Sequence, residues 1–348
     1  MEESFARPQE QAVNFMDTQL ANVLGDVYGI TVQRFIKMKS VIGVVTQQGP
    51  HHIWKPVPQS VVRRVSLVYQ PLLFLQQAGF RVALPVTSRT GSLVMRLPNG
   101  SVGQLLPWLS GSHLNLANRQ QRLAAVASLA AWHKATVASM PETSLQSANS
   151  NLQRGKFVTK FQFKINLCAR LWPSICSIFP QLQPYTSPLF KKLSDLTQGI
   201  AQWQGSMAFC HRDLAPHNLL WEEKDAELQR KIGWIDFDLA DWDDPIGDLV
   251  QVMNHTVALV AIRSGDLPEM VETYAQNLPL SREAISMLWK ALHFPDVFLR
   301  TAVQWLGQGT PIEGRQRVQD AWEVELGRWQ VLTQDAACVV PMGDNTTM

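Results

Sequence analysis

Three oxygen-bearing side chains stand at short, fixed spacings between Phe209 and Asp248. Asp213 lies in Phe209-Cys210-His211-Arg212-Asp213-Leu214-Ala215-Pro216-His217-Asn218, with Asn218 five positions on. Asp236 follows eighteen residues later in Ile235-Asp236-Phe237-Asp238, and Asp248-Leu249 comes twelve after that. A carboxylate beside a hydroxyl can orient it and take its proton, so Asp213 is the candidate catalytic base. Asn218 offers a neutral oxygen to a hard cation. Asp236 brings a full negative charge able to bridge Mg²⁺ to phosphate oxygens, and an oxygen-only donor set suits Mg²⁺ better than zinc. Such a set suits phosphoryl transfer to a hydroxyl, a reaction that asks for positioning and charge stabilisation. The plainer reading is two turns rich in Asp and Asn as caps; the ordered conjunction is much rarer than one H-x-D-x-x-x-x-N match. His211 and Arg212 read as scaffold. Asp248 reads as a buried carboxylate that ties down the loop by accepting backbone N–H groups. Asp238 could reach a metal or cap its own loop.

A nucleotide would need a cation on its phosphates. Lys55, in Ile53-Trp54-Lys55, is the candidate, with Lys37 and Lys39 as rivals. The turn around Lys39-Ser40 contains no G-x-G-x-x-G, which leaves backbone amides and Ser40 to cover the phosphates. Leu106 and Trp108 complete the nucleotide-binding candidates. A Walker A sequence is missing, which excludes the P-loop kinases. The stretch Val61–Ala78 carries neither Asp nor Glu, so the usual lysine–glutamate pair is not evident. That absence argues against full activity; Gln70, the obvious polar substitute on the middle turns, reads as surface.

These residues need elements to hold them. A chain of 348 residues, 46% hydrophobic and 17% charged, can bury a large core and is expected to form two lobes. Its formal net charge of +2, without a basic run, gives no support for nucleic-acid binding. Cys168, Cys176, Cys210 and Cys338 form no C-x-x-C pair and read as buried thiols in a reducing cytoplasm. The N-terminal residues show no secretory signal, and the apolar runs are too short to span a bilayer.

Hydrophobic spacing predicts a helix over Gln11–Leu24 ended by Gly25, then strands over Ile30–Ile36, Val41–Thr46 and His52–Val57. A helix over Val61–Ala78, stopped by Gly79, is followed by strands near Ser92–Arg96 and Gly103–Pro107 around an Asn99-Gly100 turn. Beyond Ser110-Gly111 the pattern is helical: Asn118–Lys134, Phe157–Leu171, Ser187–Trp203, Pro245–Arg263, Leu267–Gln276, Ser281–Leu306 and Gln316–Thr333. Ser144–Gly155 reads as a loop and Pro341–Met348 as a disordered tail. The expected fold is α+β and bilobal: a helical extension (1–24), a small antiparallel β-sheet lobe with one helix (25–110), and a large, mostly α-helical lobe (111–340). The acid-rich motif falls early in the second lobe, beside the expected cleft.

The order His211, Asp213, Asn218, then Ile235 to Asp238, then Asp248-Leu249 resembles the aminoglycoside phosphotransferase / choline kinase superfamily. Its members have a protein-kinase-like fold. A closer likeness is to the spore coat CotS-like kinase group, across about residues 25–330. It rests on Tyr28-Gly29, Lys55, Phe74-Leu75 before Ala78-Gly79-Phe80, Trp108-Leu109-Ser110-Gly111, Leu129-Ala130-Ala131-Trp132-His133, the Phe209–Ala215 segment and Phe294-Pro295. Pro107 departs from the hinge Glu often found in relatives, which bears on hydrogen bonding to adenine.

The resemblance implies an ATP- or GTP-dependent phosphotransferase with Mg²⁺ and a small hydroxyl-bearing acceptor. Asp241, Trp242, Asp243 and Asp244 would lie at the edge of the acceptor pocket. They could attract a cationic or amino-sugar substrate, although a solvated acidic turn with a packed Trp is the plainer reading. The competing function is a kinase-like protein with a structural or assembly role, as in a spore coat. The missing helix acid and the glycine-free turn favour that alternative; Asp213, Asn218 and Asp236 together favour the enzyme. The expected location is the cytoplasm, or the spore coat under the structural alternative.

Overall fold

The computed structural model describes residues 15–138, 156–224, 231–259 and 263–338. The predicted loop Ser144–Gly155, the tail Pro341–Met348 and the first four residues of the predicted N-terminal helix lie outside them. The chain divides into two compact units. One runs through Ser112 and takes in Glu222–Asp238; the other comprises His113–Trp221 and the chain from Leu239 onward.

In the first unit, strands β1 (Val32–Lys37), β2 (Ile42–Thr46), β3 (His52–Pro56), β5 (Met95–Arg96) and β6 (Val102–Pro107) form an antiparallel sheet of order β1-β2-β3-β6-β5. The register pairs Trp54 with Leu105 and Lys55 with Gln104. Side chains alternate across a pleated strand, so Trp54 and Leu105 share one face while Lys55 and Gln104 share the other. The first face packs Trp54, Leu105, Val44 and Met95 against Leu20 and Leu24 of α1 (Phe15–Tyr28). Helix α2 (Val62–Gln77) buries Val65, Val68, Leu72 and Leu75.

Helix α1 does not stop at Gly25 as its sequence suggested. It runs on to Tyr28 and ends where Gly29 takes a φ of +74°, a left-handed conformation that glycine adopts without Cβ strain. Gly79, with φ +92°, does end α2 as expected. The turn at Asn99-Gly100 closes through the Leu97 N–H to Ser101 carbonyl bond of 2.8 Å. A two-residue strand β4 (Arg81–Val82) runs parallel to β10 (Ile232–Trp234), and so fixes the approach to Asp236. Strands this short leave almost no periodicity to read.

The second unit is helical. Its α3 (Arg119–Ala138) buries Val126, Leu129, Ala130 and Trp132. The Trp132 indole donates to the Phe209 carbonyl at 2.6 Å, and the Thr136 hydroxyl accepts from the Phe209 N–H at 3.2 Å. These bonds anchor strand β8 (Ala208–Cys210), which pairs antiparallel with β11 (Asp241–Asp243). Trp172, Phe298 and Trp322 pack as a cluster with ring centroids 4.8–5.9 Å apart. Cys168, Cys176 and Cys210 are buried free thiols.

The single helix expected over Ser281–Leu306 is two, Arg282–Leu292 and Asp296–Gly307. Pro295 lacks an N–H and disfavours helical backbone at the residue before it, so the first helix must close there. The second starts afresh because the buried Glu325 carboxylate accepts the Val297 and Phe298 N–H groups at 2.8 and 3.1 Å. Lys156–Ile178 extends seven residues past the expected end at Leu171, with Pro173 inside it, and Ile312–Cys338 overruns its predicted bounds at both ends.

A Cβ added at Gly103 would overlap the Trp54 ring. Gly103→Ala is therefore expected to cost about 1–3 kcal/mol of stability, read as a lowered urea midpoint at unchanged m-value.

Candidate active site

The segment carrying Asp213 has almost no regular structure, so side chains must hold it. Asp248, 1% exposed at the start of the helix Pro245–Leu259, accepts the His211 N–H at 2.7 Å and the Arg212 N–H at 2.8 Å. Gln251, one turn further along that helix, accepts the Leu214 N–H at 3.0 Å and donates to the Arg212 carbonyl at 2.9 Å. Between these clamps Arg212 is forced to a φ of +67°, which costs a non-glycine residue on the order of 1 kcal/mol. Its guanidinium pairs with Asp243 at 3.0 Å. The His211 ring nitrogen accepts a long 3.4 Å bond from the Asp213 N–H.

Asn218 donates from its Nδ2 to the Asp213 carbonyl at 2.9 Å and to the Asp213 carboxylate at 3.2 Å. The amide is thereby oriented with its oxygen as the end left for a cation. The structure thus brings Asp213 and Asn218 together. Asp213 lines a cavity of ≈ 190 Å³ within the second unit, with Arg212, His255, Lys160 and Arg300 also on its wall.

Burial pushes the Asp248 carboxyl up, but the His133 hydrogen bond, the His133 and His211 charges and the Arg212 N–H outweigh it and hold the group below the usual range. His133 in turn shares a 2.8 Å bond with the Tyr274 hydroxyl. His133, Cys210 and Asp248 place one ligand atom each within 4.8 Å of one another. With both Asp248 oxygens taken by backbone N–H groups, and burial pushing the Cys210 thiol well up, this trio serves the loop and suits a cation poorly.

In the first unit, the Lys55 ammonium is 2.7 Å from an oxygen of Asp236 and 2.7 Å from one of Asp238. Asp236 takes a φ of +64°, which directs its side chain off the end of β10; aspartate tolerates that region better than most residues. These three line a cavity of ≈ 30 Å³ with Arg64, Gln104 and Leu106. The two carboxylates are hard oxygen donors, a chemistry that fits Mg²⁺. Lys37, Lys39 and Ser40 are exposed, the last two on the tight turn closed by the Met38 N–H to Val41 carbonyl bond of 3.0 Å. Trp108 lies with its ring edge over Gly43, where a Cβ would sit 2.5 Å from it.

Sequence reasoning missed Gln251, Lys160, Arg300 and His255 in the second unit, and Arg64 and Gln104 in the first. Gln251 alone left a signal, three positions after Asp248 on the same helix face.

The sequence profile of the phosphotransferase enzyme family matches residues 55–284, more than half of the chain. The chain belongs to that family. No curated protein matches it significantly. Among solved structures, it is similar to an aminoglycoside phosphotransferase from Alicyclobacillus acidocaldarius, with a TM-score of 0.70 at 15% identity over 88% of this chain and 92% of that one. It is also similar to a spectinomycin phosphotransferase in complex with AMP (0.56, 14%, over 90% and 98%). An amicoumacin kinase in complex with AMP-PNP, Ca²⁺ and its antibiotic is a third (0.54, 15%, over 86% and 87%). These likenesses give the fold: a protein-kinase-like α+β phosphotransferase with an antiparallel sheet in its N-terminal part and helices in the remainder. No helix among the described residues is long and apolar enough to cross a membrane.

Asp248→Ala leaves two buried N–H groups without an acceptor and is expected to cost about 3–5 kcal/mol at neutral pH. Because the folded-state pKa is depressed, that contribution is present above the unfolded carboxylate pKa and is lost as pH falls through the folded value. The deficit, measured by urea unfolding, therefore narrows towards acid. Asp244 has the opposite sign. Burial, only partly offset by the Ile246 N–H and the Trp203 indole, raises it to about 7. The wild type then loses stability as pH climbs from about 4 to 7, by on the order of 3 kcal/mol from this group. Urea unfolding of Asp244→Asn beside the wild type across that window is expected to show the balance shifting towards the variant by that amount.

Proposed function

We propose that this phosphotransferase moves the γ-phosphoryl group of ATP or GTP to a hydroxyl of a small molecule, with Mg²⁺. The observation that carries the reading is the Lys55 ammonium at 2.7 Å from both Asp236 and Asp238. Helix α2 supplies no acid to orient this lysine, and the sequence took that as evidence against activity. The two carboxylates beyond β10 do the orienting instead. Nucleotides in the similar phosphotransferase and kinase structures support the reading.

Lys55 is the residue to hold the nucleotide phosphates, with Leu106 and Trp108 towards the base and Ser40 on the turn. Asp236 and Asn218 are the residues that would hold Mg²⁺, with Asp238 beside Asp236. The bound ion would neutralise charge on the phosphates and the departing group. Asp213 accepts the proton of the acceptor hydroxyl as its oxygen bonds to phosphorus and the nucleoside diphosphate leaves. Asp248 and Gln251 hold Asp213 in place, so the base needs no rearrangement at the moment of transfer.

The finer likeness to the CotS-like spore coat kinases, and a location in the cytoplasm or the coat, rest on the sequence resemblance. One observation favours a structural role, the exposed, glycine-free turn at Met38–Val41.

Release of ADP from Mg·ATP with a panel of sugars, aminoglycosides and amino alcohols decides between them. Turnover is expected, and Asp213→Asn should lower kcat at least about 10²-fold with Mg·ATP stabilisation of the fold retained. A folded wild type that Mg·ATP does not stabilise would instead leave the structural role.

A further inference from the structure

The second unit's cavity is lined by charges of both signs, and their partners differ. Nine ionised or ionisable acids and bases other than histidine line it: Asp213, Asp243, Asp244, Asp248, Asp296, Lys160, Lys164, Arg212 and Arg300. Four of the five carboxylates are already committed. Asp248 accepts the His211 and Arg212 N–H groups. Asp243 pairs with Arg212 and accepts the Phe157 and Asp244 N–H groups at 2.9 and 2.8 Å. Asp244 accepts from the Ile246 N–H and the Trp203 indole. Asp296 pairs with Lys164. What remains is Asp213 and two cations, Lys160 on the helix Lys156–Ile178 and Arg300 on the helix Asp296–Gly307. Neither cation has an ion-pair partner among the described residues. His255, on the same wall, is held below its usual range by burial and then by the Arg300 charge, and adds no positive charge at neutral pH.

We propose that the acceptor is a hydroxyl-bearing organic anion, its carboxylate or phosphate held by Lys160 and Arg300 while its hydroxyl faces Asp213. The proposal rests on reading Asp213 as the base, and it names the acceptor class. An amino-sugar would meet Lys160 and Arg300, two like charges with no ion-pair partner among the described residues, on the wall that carries Asp213. Of the carboxylates that the sequence offered to such a substrate, Asp243 and Asp244 are spent within the protein, and Asp241 lies 3.9 Å from the Arg212 guanidinium. Arg300 can grip an anionic group with two parallel N–H bonds. Lys160 is an exposed side chain on the cavity wall, open to an incoming anion. A cavity of ≈ 190 Å³ takes a compact molecule of sugar size.

The test is calorimetric titration of the full chain, in Mg²⁺ and a non-hydrolysable ATP analogue, with D-gluconate, D-glucose 6-phosphate, D-glucose and D-glucosamine. Expected is binding of at least one anion about tenfold or more tighter than glucose, with glucosamine weakest. Gluconate against glucose 6-phosphate tells a carboxylate from a phosphate site. Lys160→Gln with Arg300→Gln should weaken the anion about tenfold or more, leave glucose unchanged and keep the Mg·ATP thermal shift that reports a folded, nucleotide-competent protein. Glucosamine binding more tightly than both anions, binding of neither anion, or an anion affinity that survives the double substitution overturns the proposal. Mg·ATP stabilisation without anion preference removes this inference and leaves the phosphotransferase reading standing. Anion binding without any Mg·ATP stabilisation does the reverse.

Discussion

One buried carboxylate organises the second unit. Asp248 is out of water yet ionised, because two backbone N–H groups and an imidazole converge on it. A charge in that position is stable only while its donors stay in place, so the penalty for burying it becomes a force that holds the loop. Arg212 is bent into left-handed backbone as a result, and Asp213 is presented to the cavity on a segment that has no helix or strand of its own. The loop's rigidity is borrowed from α3 through His133 and from the helix Pro245–Leu259 through Asp248 and Gln251.

The first unit solves a related problem with the opposite balance. Lys55 sits on a regular strand whose register is set by Trp54 packing over Gly103 and by pairing with β6. Asp236 and Asp238 come from beyond a three-residue strand and are drawn to that ammonium. Two carboxylates close to one lysine leave negative charge over, which is the condition for drawing in a divalent cation. An acid on α2 is not needed to orient Lys55 when two acids from another segment already reach it.

The same attention to partners underlies the acceptor proposed for the second unit's cavity. Counting acids in the Asp241–Asp244 turn suggests attraction for cations. Following each charge to its partners pairs Asp243 with Arg212 and Asp296 with Lys164, and leaves Lys160 and Arg300 without an ion-pair partner among the described residues.

Periodicity and turn chemistry in the sequence determined the five-stranded antiparallel sheet, helix α2 and its end at Gly79, and the helical character of the rest. Motif order determined the family, since side-chain type at fixed spacing is a local property of the chain. The early end of α1 and the unbroken helix through Pro295 misread local signals: Gly25 stayed helical because α1 packs on the sheet, and Pro295 broke its helix as its missing N–H requires. Only the tertiary structure decided that Lys55 is oriented by Asp236 and Asp238, that Gln251 clamps the loop, and that Lys160 and Arg300 have no ion-pair partner among the described residues. Those facts depend on distances between residues far apart in the chain, and a charge acts according to what lies within a few ångströms of it, which spacing along a sequence does not record.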